Sequence, residues 1–183
     1  MKRLGELSGG SRNIYIHSQP LRSKLISLFG GVEEVVEVDT HKVIDAPRNV
    51  VFELLMDPHV LKETMPGLKT MSEKDSGIYS VEMELGIPGI KGQYHGELSI
   101  QNVVPPNSYH LSLEGEGSNG PFFMSLDVRL TSSNDAQTDL HYKGKGGFSD
   151  QSNSLGQKVL SGAGNLLISQ FFGAISRRAR RRL

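Results

Sequence analysis

The sequence predicts an α+β domain in which a curved, seven-stranded antiparallel sheet, apolar on one face, is covered by a long C-terminal helix. Three observations carry this expectation. Apolar and polar residues alternate through most of 68–148, turn clusters break the alternation at hairpin spacing, and the segment that follows changes to a helical period.

Residues 1–31 read as an extension, flexible by composition. Ser8-Gly9-Gly10-Ser11, Pro20 and Gly30-Gly31 interrupt it, and only 21–29 has helical spacing, through Leu21, Leu25 and Leu28. That stretch is either frayed chain or a weak helix for an interface. The ordered domain, 32–176, opens with a strand at 35–44, rich in β-branched residues. Pro47 then stands at a first helical position, and Val50, Val51, Leu54 and Leu55 form a helical stripe. Asp57-Pro58 caps and restarts a second short helix, which must stop before Pro66-Gly67.

From Leu68 to Phe148 the pattern is that of a six-stranded meander. Asp75-Ser76-Gly77, Ile87-Pro88-Gly89, Pro105-Pro106-Asn107 and 132–135 supply turns. Val81, Met83 and Leu85 share one face, as do Ile90, Tyr94, Leu98 and Ile100, then Tyr109, Leu111 and Leu113. Phe122, Met124, Leu126, Val128 and Leu130 continue it, followed by Leu140 and Tyr142, so one face is apolar and the other wet. The cover is a helix over 151–176, carried by Leu155, Val159, Leu160, Ala163, Leu167, Phe171 and Ile175. At 1.5 Å per residue it would be roughly 39 Å long. Ser161-Gly162-Ala163-Gly164 weakens its middle by about 1 kcal/mol per glycine, which implies either close approach to the sheet or room left for something else.

A chain of 183 residues suits one domain with an appended segment. The absence of cysteine excludes disulfides, thiolate metal ligands and a thiol nucleophile. The formal net charge of zero conceals basic ends on an acidic body: between 25 and 176 there are 10 basic and 19 acidic residues. No signal-peptide core and no run of about 18 apolar residues is present, so the expectation is a cytoplasmic protein, with peripheral contact on the inner face of the membrane as its extension.

Several segments together resemble a known family. These are Ile44-Asp45-Ala46-Pro47, Asp57-Pro58-His59-Val60-Leu61 with Met65-Pro66-Gly67, and 89–96 (Gly-Ile-Lys-Gly-Gln-Tyr-His-Gly). Pro105-Pro106-Asn107-Ser108-Tyr109, Gly115-Glu116-Gly117, Asp127-Val128-Arg129-Leu130, Leu155-Gly156 and Gln170-Phe171-Phe172 complete the set. In this order they are similar to the carbon monoxide dehydrogenase G-subunit (CoxG) family, within the START-like, SRPBCC helix-grip superfamily. Lys42 departs from the family pattern, which has an apolar residue there. The resemblance implies a helix-grip fold with a hydrophobic cavity between sheet and long helix. It also implies association with molybdenum-hydroxylase-type enzymes such as carbon monoxide dehydrogenase, either recruiting the enzyme to the membrane or linking it to the quinone pool.

The expected cavity lining is Tyr94, Leu98, Leu111, Leu113, Met124, Leu126, Tyr142, Leu167 and Phe171. Apolar walls with a few polar tips suit a lipophilic small molecule, a quinone included, with no resident cofactor or metal. The competing reading is that these side chains simply fill a core. No catalytic residue is expected: His95, Glu97 and His141 fall on the wet face, and two ligands on one strand do not make a metal site. Phosphate-loop, dinucleotide and nucleophile-elbow motifs are absent. A cavity enzyme of the polyketide cyclase or hydratase kind is the alternative function. Arg177, Arg178, Arg180, Arg181 and Arg182 read as a basic tail, 177–183, for an anionic membrane or acidic protein surface; the acidic body disfavours nucleic acid.

Overall fold

The computed structural model describes residues 34–149 and 157–182. The expectations for the 1–31 extension and for Leu155-Gly156 lie outside the described residues. The elements run β1 (Glu34–Ile44), α1 (Arg48–Met56), α2 (Pro58–Thr64), β2 (Leu68–Asp75), β3 (Ile78–Ile87), β4 (Ile90–Val104), β5 (Ser108–Gly117), β6 (Gly120–Asn134), β7 (Gln137–Phe148) and α3 (Gln157–Arg180). All seven strands form one antiparallel sheet in the order β1-β7-β6-β5-β4-β3-β2. The meander thus folds back until its last strand pairs with the first.

Local chemistry explains how the helices enter. Pro47 is the N-cap of α1 rather than its first residue, with ψ at 147°. Its fixed φ suits the entry, but it brings no side-chain cap. Asp57 does cap α2: its carboxylate accepts a 2.9 Å hydrogen bond from the His59 backbone N–H. The segment before α1 is anchored where Thr138 Oγ1 donates to the Ala46 carbonyl at 2.7 Å, both residues being fully buried. Arg48 reaches across to donate to Asn107 Oδ1 at 2.8 Å, fastening α1 to the β4–β5 turn.

The sheet bends where side chains are missing. Gly96 pairs with Gly115 across β4 and β5, and a Cβ on either would overlap the opposing backbone. Only glycines allow the two strands to close that tightly. Further along β4, Asn102 adopts a positive φ of 51° at a bulge between Gln101 and Val104. Beside it the alternation slips: Ser99, expected on the wet face, is buried and accepts from Gln101 Nε2 at 2.8 Å.

The concave face packs against the helices through Ile44, Val51, Leu54, Leu55, Val81, Leu98, Leu130 and Leu140, all almost completely buried. On α3, Leu160, Ala163, Phe172, Ile175 and Ala179 face inward. The helix does not stop at Ser176 as its charge pattern suggested. Ala179, four residues after Ile175, extends the buried stripe, so Arg177, Arg178 and Arg180 belong to the helix and only Arg181 and Arg182 follow it. The basic tail is, for most of its length, the last turn of α3.

Candidate ligand cavity and basic helix end

Between the sheet and the first half of α3 lies a cavity of about 210 Å³. Its walls come from nearly every element: Val36 and Val38 of β1, Met83 and Leu85 of β3, Ile90 and Tyr94 of β4, and Tyr109, Leu111 and Leu113 of β5. Phe122, Met124, Leu126 and Val128 of β6, Phe148 of β7, and Leu160, Leu167, Ile168, Phe171 and Phe172 of α3 complete them, with Leu61 and Met65 from the α2 region. An apolar cavity of roughly 150 Å³ already admits a benzene ring, so this one has room for a small aromatic molecule.

The small residues of α3 leave that room open. Gly164 borders the cavity, and a Cβ there would meet no atom within 4 Å. Gly162 is equally clear of neighbours but lies on the exposed side of the helix. Neither glycine serves a close approach, so of the two explanations open from the sequence, unfilled space is the one observed. Further along, Phe172 stacks on Tyr142 with ring centroids 4.8 Å apart, and there the helix is held down on the sheet.

Seven of the nine expected lining residues border the cavity: Tyr94, Leu111, Leu113, Met124, Leu126, Leu167 and Phe171. Leu98 and Tyr142 do not. Leu98 lies between Tyr79 and Leu113 in the ladder and is fully buried in solid core. Tyr142 is taken up by Phe172. Tyr109 was not among the expected lining, although it alternates with Leu111 and Leu113 on β5; it faces the cavity and packs edge-on to Phe52.

Polar groups are few in the walls. Tyr94 sits among Phe122 and Phe148, at centroid distances of 5.6 and 6.4 Å, and its hydroxyl donates to Asn119 Oδ1. Gly117 makes this possible, since a Cβ there would strike the Tyr94 ring. Burial pushes the Tyr94 and Tyr109 phenols up, so both are neutral donors at ordinary pH. Exposed Lys145 and Asn165 stand at the border.

The wet face carries its titratable groups away from the cavity. His95 is exposed opposite Glu82 and Glu116, and Glu97 pairs with Lys74 at 3.3 Å. His141 Nε2–H donates to the Asp39 carboxylate at 2.7 Å, and the ring stacks on His41, which contacts Asp139 at 2.9 Å. Among the described residues, no group of three or more histidines and carboxylates is placed to hold a metal ion.

The basic end of α3 is partly occupied. Arg178 pairs with Glu63, Arg180 with Asp45 at 3.2 Å, and Arg182 approaches Asp57 at 3.9 Å. Of the five arginines expected to meet a membrane or partner, three thus have carboxylate partners within the chain, and Arg177 and Arg181 have none among the described residues. They lie one helical turn apart, in a groove shared with Glu63, Thr64 and Ala174.

The stretch that builds most of this sheet and its covering helix is also the stretch that a family comparison matches: the model of the carbon monoxide dehydrogenase G-subunit (CoxG) family covers residues 41–180. The chain belongs to the CoxG family. No curated protein matches it by sequence. Among solved structures, this CoxG-family chain is similar to a conserved protein from Geobacillus kaustophilus, at 27% identity and a TM-score of 0.76, covering 80% of this chain and 96% of that one. It shares its fold with the Zhui aromatase/cyclase from Streptomyces sp. R1128 (15% identity, TM-score 0.62, covering 81% and 95%). A START superfamily protein from Mycobacterium smegmatis is similar in the same way (10% identity, TM-score 0.61, covering 80% and 99%). The architecture is the START-like helix-grip fold, and the chain is a helix-grip protein of the CoxG family.

Proposed function

We propose that this CoxG-family protein is a non-enzymatic adapter that holds a lipophilic molecule, such as a quinone, and presents it at a membrane-associated molybdenum-hydroxylase-type enzyme. The observation that carries the reading is the cavity of about 210 Å³ with walls almost wholly aliphatic and aromatic. Burial of an apolar ring there gains roughly 25 cal/mol for each Å² removed from water, and the charged side chain at the border, Lys145, stays exposed. The family match supports a partner of the carbon monoxide dehydrogenase kind. The basic end of α3, with Arg177 and Arg181 unpaired among the described residues, supports contact with an anionic membrane or an acidic protein surface.

The likeness to an aromatase/cyclase keeps a cavity enzyme as the second reading. General acid–base chemistry needs titratable groups within hydrogen-bond reach of the substrate. The walls here offer phenols, while the histidines and carboxylates of the strands belong to the opposite face. Native mass spectrometry of protein purified from its own cells separates the two readings. A co-purifying lipophilic molecule released by organic solvent is expected; an empty cavity together with turnover of a polyketide substrate would overturn the adapter.

A further inference from the structure

We propose that the Tyr109 hydroxyl is the polar anchor of the cavity, donating a hydrogen bond to a carbonyl or ether oxygen at the buried end of an otherwise apolar ligand. This deepens the adapter reading and rests on it. Tyr109 lines the cavity and is only 3% exposed. Its ring packs on Phe52, and its hydroxyl has no hydrogen-bond partner among the described residues, burial alone acting on the phenol. Yet no enclosed polar side-chain atom among those residues is left unpaired. The hydroxyl therefore reaches open space, and the space that Tyr109 borders is the cavity.

The other two phenols in this half of the molecule are committed elsewhere. Tyr94 donates to Asn119 in the β5–β6 turn, and Tyr142, stacked behind Phe172, does not border the cavity. Tyr109 is thus the wall's one phenol, among the described residues, with a donor to spare. A donor that opens into an apolar-walled space is free for water or for a ligand oxygen, and a ligand that displaces the water without accepting from it leaves the donor unmet at a cost.

Position gives the ligand a direction. Tyr109 lies six residues along β5 from Gly115, which faces Phe122 in the ladder. At about 3.3 Å per residue the two ends of the cavity are roughly 20 Å apart along the strands. The oxygen-bearing head lies at Tyr109, and the apolar remainder runs toward Tyr94, Phe122 and Phe148.

The test compares 2-methyl-1,4-naphthoquinone with 2-methylnaphthalene, a pair that differ in the acceptor oxygens, by titration calorimetry on wild type, Tyr109→Phe and Tyr94→Phe. The proposal expects Tyr109→Phe to weaken the quinone about three- to tenfold, to leave the hydrocarbon unchanged, and to leave the melting temperature at or above wild type. Equal quinone affinity in Tyr109→Phe, an equal loss for both probes, or a loss confined to Tyr94→Phe would each overturn the anchor while leaving the cavity reading intact. If wild type bound neither probe, the cavity reading itself would fall, and the anchor with it.

Discussion

Tyr142 of β7 and Phe172 of α3 lie ring on ring, with centroids 4.8 Å apart and planes inclined by 25°. This contact divides α3 into two functional lengths. Beyond it, Ile175 and Ala179 are fully buried and the helix is clamped to the domain. Before it, Gly162 and Gly164 stand clear of other atoms, and the helix roofs a cavity. Phe172→Ala should therefore cost about 3–5 kcal/mol in urea unfolding. Phe171→Ala, at a half-buried wall position, should cost less than half as much.

The glycines make an opposite prediction. Gly162→Ala adds a methyl to open space in a helix interior, so it should stabilise the fold by about 0.5–1 kcal/mol. A loss of stability in the same unfolding assay would mean that position 162 faces packed atoms rather than open space.

How much of this is legible in the sequence follows from what each signal encodes. Period-two alternation identifies the face of a strand, and so it sets Tyr94, Leu111, Leu113, Met124 and Leu126 on the concave side, where they border the cavity. It does not encode depth along the strand, which is why Leu98 and Tyr142, on the same face, are core and clamp instead. Depth depends on where α3 stands off, a property of the packed helix. The end of α3 escapes the sequence for a different reason. The run of arginines outweighs a single small residue, yet Ala179 is the one that continues the stripe from Ile175. The Ser118-Asn119 turn between β5 and β6 is legible in the sequence, because Asn119-Gly120 followed by Pro121 is a hairpin signal, although the glycines of the strand before it blur where the break falls.

The arginines separate into two groups. Arg178→Ala breaks the pair with Glu63 and should lower stability by at most about 1 kcal/mol, as surface pairs do. The double change Arg177→Ala with Arg181→Ala should leave the melting temperature unchanged. It should weaken co-sedimentation with phosphatidylglycerol vesicles at low salt, and raised salt should release the intact protein in the same way. Sedimentation equal to that of the intact protein would end the membrane role of these two residues.

On the wet face, hydrogen bonds from His141 and then Lys143 hold the Asp39 carboxyl down to about 2. Because folding lowers this value from 3.8, its contribution is complete above that ordinary value and fades as pH falls toward 2. A carboxyl-carbon NMR titration should find the Asp39 midpoint near 2, and His141→Ala should move it upward. An unshifted midpoint in the variant would show that the His141 contact at 2.7 Å is not maintained in solution.

The central claim is that the space under α3 takes an apolar ligand, and calorimetric titration with 2-methyl-1,4-naphthoquinone tests it most directly. Wild type and His95→Ala should bind alike, because His95 is exposed on the far face of the sheet. Leu126→Glu, which sets a charge in the wall, should abolish binding, and so should Gly164→Phe, which fills the space from the roof. Circular dichroism would confirm that each variant remains folded. Binding that survives in a folded Gly164→Phe protein, or that disappears in His95→Ala, would contradict the account.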